Sequence, residues 1–323
     1  MTSKTELIIP DDVERASLTV VSFKTVAEFA LSTVAPSSAR TYGHTYELWQ
    51  EWCARNKSIP LELRPLDVRD FLIAQPVTKS TRQRHLAALR KLARVMALDS
   101  SQPKYRSIYE ALRLLRVPMQ NLGGEERERR ALNNTDVWEA LRVWKGRKLI
   151  DKRNRALLAV LFYTGLRRSE AVVLRWEDMD LREGVVRVRH GKGDKRRDVA
   201  IVEGPDDTAV KALRTYHRAL EQATGEKRQY IFCSINKADR PGKDRPVNVR
   251  AVNQIVEKTS AACGIDFTPH DARRTLGTDL LTNNHPTSDV QAQLGHAHAS
   301  TTIQGYSMPA DARKRRGRFK TTY

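Results

Sequence analysis

Four side chains in the last third of the chain could transfer a phosphoryl group between them. His270 and Arg273 stand three apart in T-P-H-D-A-R-R-T, His296 follows in L-G-H-A-H, and Tyr306 closes S-T-T-I-Q-G-Y. An arginine's planar fork binds non-bridging phosphate oxygens in pairs. Histidines donate hydrogen bonds or move a proton near neutral pH. A tyrosine hydroxyl can attack phosphorus and leave a covalent intermediate. The His-x-x-Arg spacing places both side chains on one helix face, about one turn apart.

Two stretches upstream supply groups of the same chemistry. T-G-L-R-R-S-E places Arg167 just beyond a glycine-ended apolar helix, with Glu170 three residues on and able to orient it. G-K-G-D-K-R-R-D-V puts Lys192 on a glycine-flanked tip, where an ammonium could reach a leaving oxygen and protonate it. Each motif alone has an ordinary explanation: a surface Arg–Glu pair, a basic turn, a structural His-x-x-Arg. In the order Arg167, Lys192, His270, Arg273, His296, Tyr306 they resemble the signatures of the tyrosine recombinases, the phage integrase family. His298 competes with His296, but His296 follows Leu-Gly as in that family. Three residues, Ile303 to Gly305, separate the paired threonines from Tyr306, where the family commonly has two. Tyr323 lies outside the signature.

The resemblance implies site-specific DNA strand exchange through a 3′-phosphotyrosyl bond and a Holliday junction. Tyr306 would be the nucleophile, Arg167 and Arg273 would stabilise phosphoryl charge, and His270 and His296 would add hydrogen bonds. His270 would be the acceptor of the tyrosine proton, Lys192 would protonate the leaving 5′-oxygen, and Glu170 would support Arg167. It further implies a homotetramer on paired double-stranded DNA sites, with no metal and no cofactor. The same tyrosine chemistry in a topoisomerase-like relaxing enzyme, and a non-catalytic DNA-binding relative, are the rival readings. The resemblance is to the compact two-domain members, of the Cre and Xer type.

Composition agrees with a nucleic-acid partner. The 323 residues carry a formal net charge of +19 and a pI near 10.1, an excess that favours a polyanion. Hydrophobic residues make up 40% and charged residues 29%, the balance of a globular protein able to bury cores in two domains. Cys53, Cys233 and Cys263 are widely spaced and fit a reducing compartment. The opening residues hold no signal-peptide core, so a cytoplasmic, nucleoid-associated location is expected.

These side chains need a scaffold, and the periodicity points to one that is mainly α with a small β-hairpin or sheet (α+β). Residues 1–18 read as a flexible leader and 19–117 as a helical, DNA-binding core-binding domain. Tyr42, Tyr46, Trp49 and Cys53 recur at helical spacing, as do Val68, Phe71 and Leu72 after Pro65. Ser80 is the expected cap of a helix whose apolar face holds Leu86, Leu89, Ala93 and Met96. Arg82, Arg84, Arg90, Lys91 and Arg94 lie around that helix and are expected to track phosphates, a solvated face being the alternative. A further helix uses Ile108, Leu112 and Leu115. Residues 118–131, glycine-containing and charged, read as a linker.

The catalytic domain is expected over 132–306, with a basic tail over 307–323. Asn134 or Thr135 would cap its first helix, and Arg155 to Tyr163 form a buried one. The next stretch, L-R-R-S-E-A-V-V-L-R-W from Leu166 to Trp176, returns to helical periodicity with Leu174 and Trp176. Val185 to Val188 and Lys195 to Val202 then alternate as a hairpin about Gly191–Asp194. Lys195, Arg196 and Arg197 beside that turn are expected to be backbone-phosphate contacts, or else solvated.

Overall fold

The computed structural model describes residues 22–99, 102–123, 131–189, 196–202 and 208–295. The chain divides into two compact units, Met1–Glu128 and Arg129–Tyr323. The expectations for Lys192, Lys195, His296, His298 and Tyr306 fall outside the described residues.

The regular structure described in the first unit is all helical. Its helices are α1 (Phe23–Ser32), α2 (Pro36–Asn56), α3 (Pro65–Ala74), α4 (Lys79–Met96) and α5 (Pro103–Leu114). Three of them start on proline, whose fixed φ suits a first turn and whose missing N–H has no intrahelical acceptor there. α1 adds a helix that the periodicity does not announce. Ser22 starts it by accepting a hydrogen bond from the Thr25 amide. α4 begins slightly earlier than expected, with Thr78 rather than Ser80 as cap, its hydroxyl accepting from the Thr81 amide. The apolar faces of α2, α3 and α4 meet in an aromatic core. Trp49 stacks on Trp52 at 5.4 Å between ring centres and meets Phe71 edge-on. Two polar groups of this core find carbonyl partners, Trp49 Nε1 donating to that of Pro60 and the Tyr46 hydroxyl to that of Ala88.

Two arginines of α4 are corrected by the structure. Arg82 is fully buried, and its guanidinium donates to the backbone carbonyls of Ile73, Gln75, Pro118, Gln120 and Asn121. Arg90 donates to the carbonyls of Leu112, Arg113 and Leu115 at the end of α5. Both cations serve the fold: chain turns and helix ends leave carbonyls without partners, and a five-donor fork satisfies several at once. Arg84 and Arg94 stay exposed, and Lys91 is half-buried. The clasp also shows that the first part of the expected linker belongs to this unit, since Gly123 N–H bonds the Val77 carbonyl at 3.1 Å.

The second unit is built on α7 (Leu149–Thr164), which is buried along most of its length and packs against α9 (Thr208–Thr224). α6 (Asn134–Arg142) precedes it. The cap of α6 is Asn133, one residue before those expected, because Asn133 and Asp136 bond each other's backbone amides in a capping box. After α7 come α8 (Arg168–Val172), a 3₁₀ turn at Trp176–Asp178, and a three-stranded antiparallel sheet. Its strands, β1 (Met179–Asp180), β2 (Val185–Val188) and β3 (Arg197–Ala200), lie in the order β1-β2-β3. The expected hairpin is present, and the two-residue β1 is an addition to it. Of the helix expected from Leu166 to Trp176, only Arg168–Val172 (α8) forms, and it stops before Leu174. There the backbone pairs at long range, Trp176 N–H with the Gln229 carbonyl and Ile231 N–H with that of Leu174. α10 (Val249–Cys263), α11 (Pro269–Thr282) and α12 (Thr287–Leu294) complete the unit. Among the described residues no helix is long and apolar enough to cross a membrane.

Candidate active site

The end of α7, the start of α8, the first turn of α11, the end of α12 and the first residue of β3 converge in the second unit. α7 stops because Gly165 takes the left-handed conformation, φ +64°, which carries the chain away from the helix axis. Two residues later Arg167 caps the start of α8. Its own amide donates to Glu170 Oε2 at 2.9 Å, and its Nη1 donates to Oε1 at 2.9 Å. Its Nη2 donates to the carbonyl of Gly295, just past α12, at 3.0 Å. Glu170 therefore orients Arg167 through both backbone and side chain.

α11 starts with a second capping box. Asp271 Oδ2 accepts from the Thr268 amide at 2.9 Å and from the Thr268 hydroxyl at 2.7 Å, while the Asp271 amide donates to that hydroxyl oxygen. Pro269 fills the first helical position. These bonds fix the turn carrying His270, which is exposed, and aim Arg273 inward one turn later, where only 2% of it remains accessible. Arg273 Nη1 donates to the Gly165 carbonyl at 2.7 Å, and Nη2 donates to that of Leu294. Both arginines thus rest on carbonyls at helix C-terminal ends, the negative poles of α7 and α12, a setting that stabilises a cation.

A cleft of about 410 Å³ opens over these groups, lined by Arg167, Arg168, Ser169, Thr268, Pro269, His270 and Arg273. Three guanidinium groups, those of Arg167 and Arg273 braced on helix ends, and an exposed imidazole line one cavity. That arrangement can accept a phosphate diester, with the charge on its non-bridging oxygens met by the arginines. Arg168 is held at the mouth by Asn253 Oδ1 at 2.7 Å.

Of the three basic residues expected to contact phosphate beside the hairpin turn, Arg197 is corrected. Its Nη1 and Nη2 bind Glu170 Oε1 and Oε2 at 3.0 and 2.9 Å, and its side chain is 14% exposed. Arg196 is exposed. Glu170 thereby takes bonds from two arginines. Burial by itself would raise its pKa, but the Arg197 fork, the Arg167 amide and the Arg167 guanidinium outweigh burial and hold the carboxyl below its usual range.

Two further residues belong to the site without having been expected there. Gln293 spans α12 and the sheet: its Oε1 accepts from the Ala200 amide at 3.0 Å, and its Nε2 donates to the carbonyls of Ala200 at 2.8 Å and Thr164 at 3.1 Å. Gly295, at φ +63°, lies so close to Arg197 that a Cβ there would stand 2.7 Å from its Nε. The Thr268–Asp271 box and the glycine after Leu294 carry readable signals, a T-x-x-D start and a C-cap glycine. Gln293 carries none, because its acceptors and donors are distant in sequence.

Residues 131–313 match the family model described as the phage integrase family. The tyrosine recombinase XerC of Lactobacillus delbrueckii subsp. bulgaricus is 28% identical over 267 residues, covering 79% of this chain and 81% of that protein. Among solved structures, the XerH site-specific recombinase bound to a palindromic difH substrate in a post-cleavage complex superposes with a TM-score of 0.67. It is 19% identical, over 93% of this chain and 84% of that one. The integrase of transposon Tn1549 in complex with transposon right-end DNA gives a TM-score of 0.64 at 15% identity, over 91% and 98% of the two chains.

Proposed function

The chain belongs to the phage integrase family of tyrosine recombinases, and on that premise we propose how this site-specific DNA recombinase uses its residues. Tyr306 attacks the scissile phosphate, forming a 3′-phosphotyrosyl ester and releasing a 5′-hydroxyl. The ester conserves the energy of the broken bond, so the reverse attack by a 5′-hydroxyl of a partner strand needs no nucleotide cofactor. Arg167 and Arg273 stabilise charge on the non-bridging oxygens, His270 accepts the tyrosine proton, His296 adds a hydrogen bond, and Lys192 protonates the leaving oxygen. Two strand exchanges in sequence, through a Holliday junction, make a homotetramer on paired duplex sites the working assembly. In a cell the protein would reside with the chromosome. Arg84, Lys91, Arg94, Lys195 and Arg196 are the basic residues retained as phosphate contacts once Arg82, Arg90 and Arg197 are assigned to the fold.

One observation carries this reading: the cleft brings Arg167, His270 and Arg273 together, with both guanidinium groups braced on helix ends. Bracing matters because donors held in place lose no reorganisation energy when charge develops on the phosphate. Removing either arginine is expected to slow cleavage on the order of a hundred-fold or more.

Covalent trapping tests it. Duplexes selected by binding from the source replicon, nicked near the cleavage point, should give a denaturation-resistant protein–DNA band whose peptide maps to Tyr306. Tyr306→Phe should bind the same duplex with unchanged affinity and give no band. A band persisting in that variant would refute the nucleophile assignment, and tight binding without any band would refute cleavage.

A further inference from the structure

We propose that Arg197 is a positioning residue that acts on the scissile phosphate only through Glu170, keeping the Arg167 guanidinium both oriented and electrostatically effective. The inference rests on the recombinase reading above and deepens it. Arg197 does not line the cleft, whose walls are made by α8 and α11 residues. Its two terminal nitrogens are committed to the two oxygens of Glu170, a carboxylate whose side chain is 3% exposed. On its other side the Gly295 backbone leaves no room for even a methyl group, so the fork is clamped between the carboxylate and the end of α12.

Charge gives this contact a function beyond packing. A buried Glu170 paired with Arg167 alone would be a neutral unit, and its field at the cleft would largely cancel that of the guanidinium. With Arg197 on the same carboxylate, the three groups carry a net single positive charge. Arg197 lies behind Glu170 and Arg167 lies at the cleft, so the uncompensated charge is presented to the phosphate. The bidentate fork also fixes the carboxylate's rotation, and with it the two bonds from Glu170 to the Arg167 amide and Nη1. A lysine supplies the charge and not the fork, which separates the two contributions.

β3 has the anchorage such a role requires. Gln293 holds Ala200 by both its amide and its carbonyl, so the strand that presents Arg197 is itself tied to α12. α12 in turn offers the Gly295 carbonyl to Arg167 and that of Leu294 to Arg273. One brace therefore joins the strand, the helix end and both arginines.

Single-turnover adduct formation on the nicked duplex, thermal unfolding, and the salt dependence of duplex binding test the proposal in Arg197→Gln, Arg197→Lys and Arg197→Gln/Glu170→Gln. Arg197→Gln should slow adduct formation about tenfold to a hundredfold, the usual effect of removing a group that orients a reacting one. It should leave the slope of log affinity against log salt as in the parent, because no phosphate contact is lost. Arg197→Lys should recover part of the rate. Adding Glu170→Gln to Arg197→Gln should raise the rate about threefold or more over the single variant, since it removes the carboxylate charge that Arg197 no longer offsets.

A merely structural arginine would not show that rescue, because the double variant has lost still more native bonds. Arg197→Gln reacting at the parental rate would overturn the proposal, as would a double variant slower than the single one. A salt slope lower by about one unit would overturn it as well, by making Arg197 a direct phosphate contact. A parent protein that formed no adduct would count against the recombinase reading instead, and the salt slope would still decide whether Arg197 touches DNA.

Discussion

Replacing Gly165 with alanine separates two demands that meet at the end of α7. The position has φ +64°, so any L side chain there is strained, at about 1 kcal/mol for a single left-handed residue. The added Cβ would also lie 2.7 Å from Leu294 Cδ2 and 3.1 Å from Leu276 Cδ2, both in buried side chains with little freedom to retreat. Overpacking of that kind costs about 1–3 kcal/mol more, giving a total of roughly 2–4 kcal/mol. For a unit of this size each kcal/mol lowers Tm by about 2–4 °C, so a fall on the order of 5–15 °C is expected.

Gly225 supplies the control, with φ +69° and nothing within 4 Å of the place a methyl would take. Gly225→Ala should therefore show only the conformational part, about 1 kcal/mol and a few degrees. Calorimetric unfolding of both variants and the parent makes the comparison. Adduct formation at about 25 °C, well below either transition, should also fall further in Gly165→Ala, because the carbonyl that holds Arg273 moves with the crowded backbone. Equal Tm shifts in the two variants would refute the packing argument. An unchanged cleavage rate in Gly165→Ala would refute the link from the α7 cap to Arg273.

Two further outcomes concern the first unit. Arg82→Met keeps the aliphatic stem and leaves buried carbonyls without their donor, so unfolding of this unit should lose about 3–5 kcal/mol. Limited proteolysis should then cut within 118–123, and an unchanged digestion pattern together with an unchanged Tm would show that the clasp is dispensable. His85, buried against Phe71 and bonded to Thr45 at 2.9 Å, has its pKa pushed down to about 4 by burial first and then by His44 and Arg84. The unfolded chain binds that proton near the ordinary value and the folded one does not. Stability is therefore full above about pH 6.5 and declines as pH falls towards 4, by at most about 3 kcal/mol. Denaturant midpoints at about pH 7 and pH 5 in parent and His85→Gln check it, the variant being expected to show a smaller difference between the two. An equal drop in both would remove His85 as the cause.

The residues legible from sequence are those whose partners are near in the chain. His270 and Arg273 share a turn whose cap is written as Thr268-x-x-Asp271, and Glu170 sits one turn from Arg167. The apolar face of α4 follows directly from its period. Arg82 and Arg90 read as phosphate-tracking because a basic helix looks the same whether its cations meet solvent or the carbonyls of a distant turn. Arg197 carries a signal that charge alone obscures: it stands two residues before buried Val199, on the same face of β3, so strand alternation turns it inward. The segment from Leu166 to Trp176 reads as helical, but past α8 pairing with Gln229 and Ile231 gives the Leu174 carbonyl and the Trp176 amide their partners outside a helix. Local pattern yields wherever a long-range partner offers a buried backbone group its hydrogen bond.

Gln293 has a consequence for association as well as for the site. β3 is an edge strand of its sheet, and the outward-facing amide and carbonyl of Ala200 are where another chain's strand would pair. The Gln293 carboxamide occupies both, imitating with one side chain the donor and acceptor of a neighbouring strand. At Ala200 the β3 edge is thereby closed to strand pairing for as long as α12 stays docked. Undocking of α12 would release two arginine braces and unseal that edge in a single step, coupling loss of the cleft's geometry to exposure of a sticky strand.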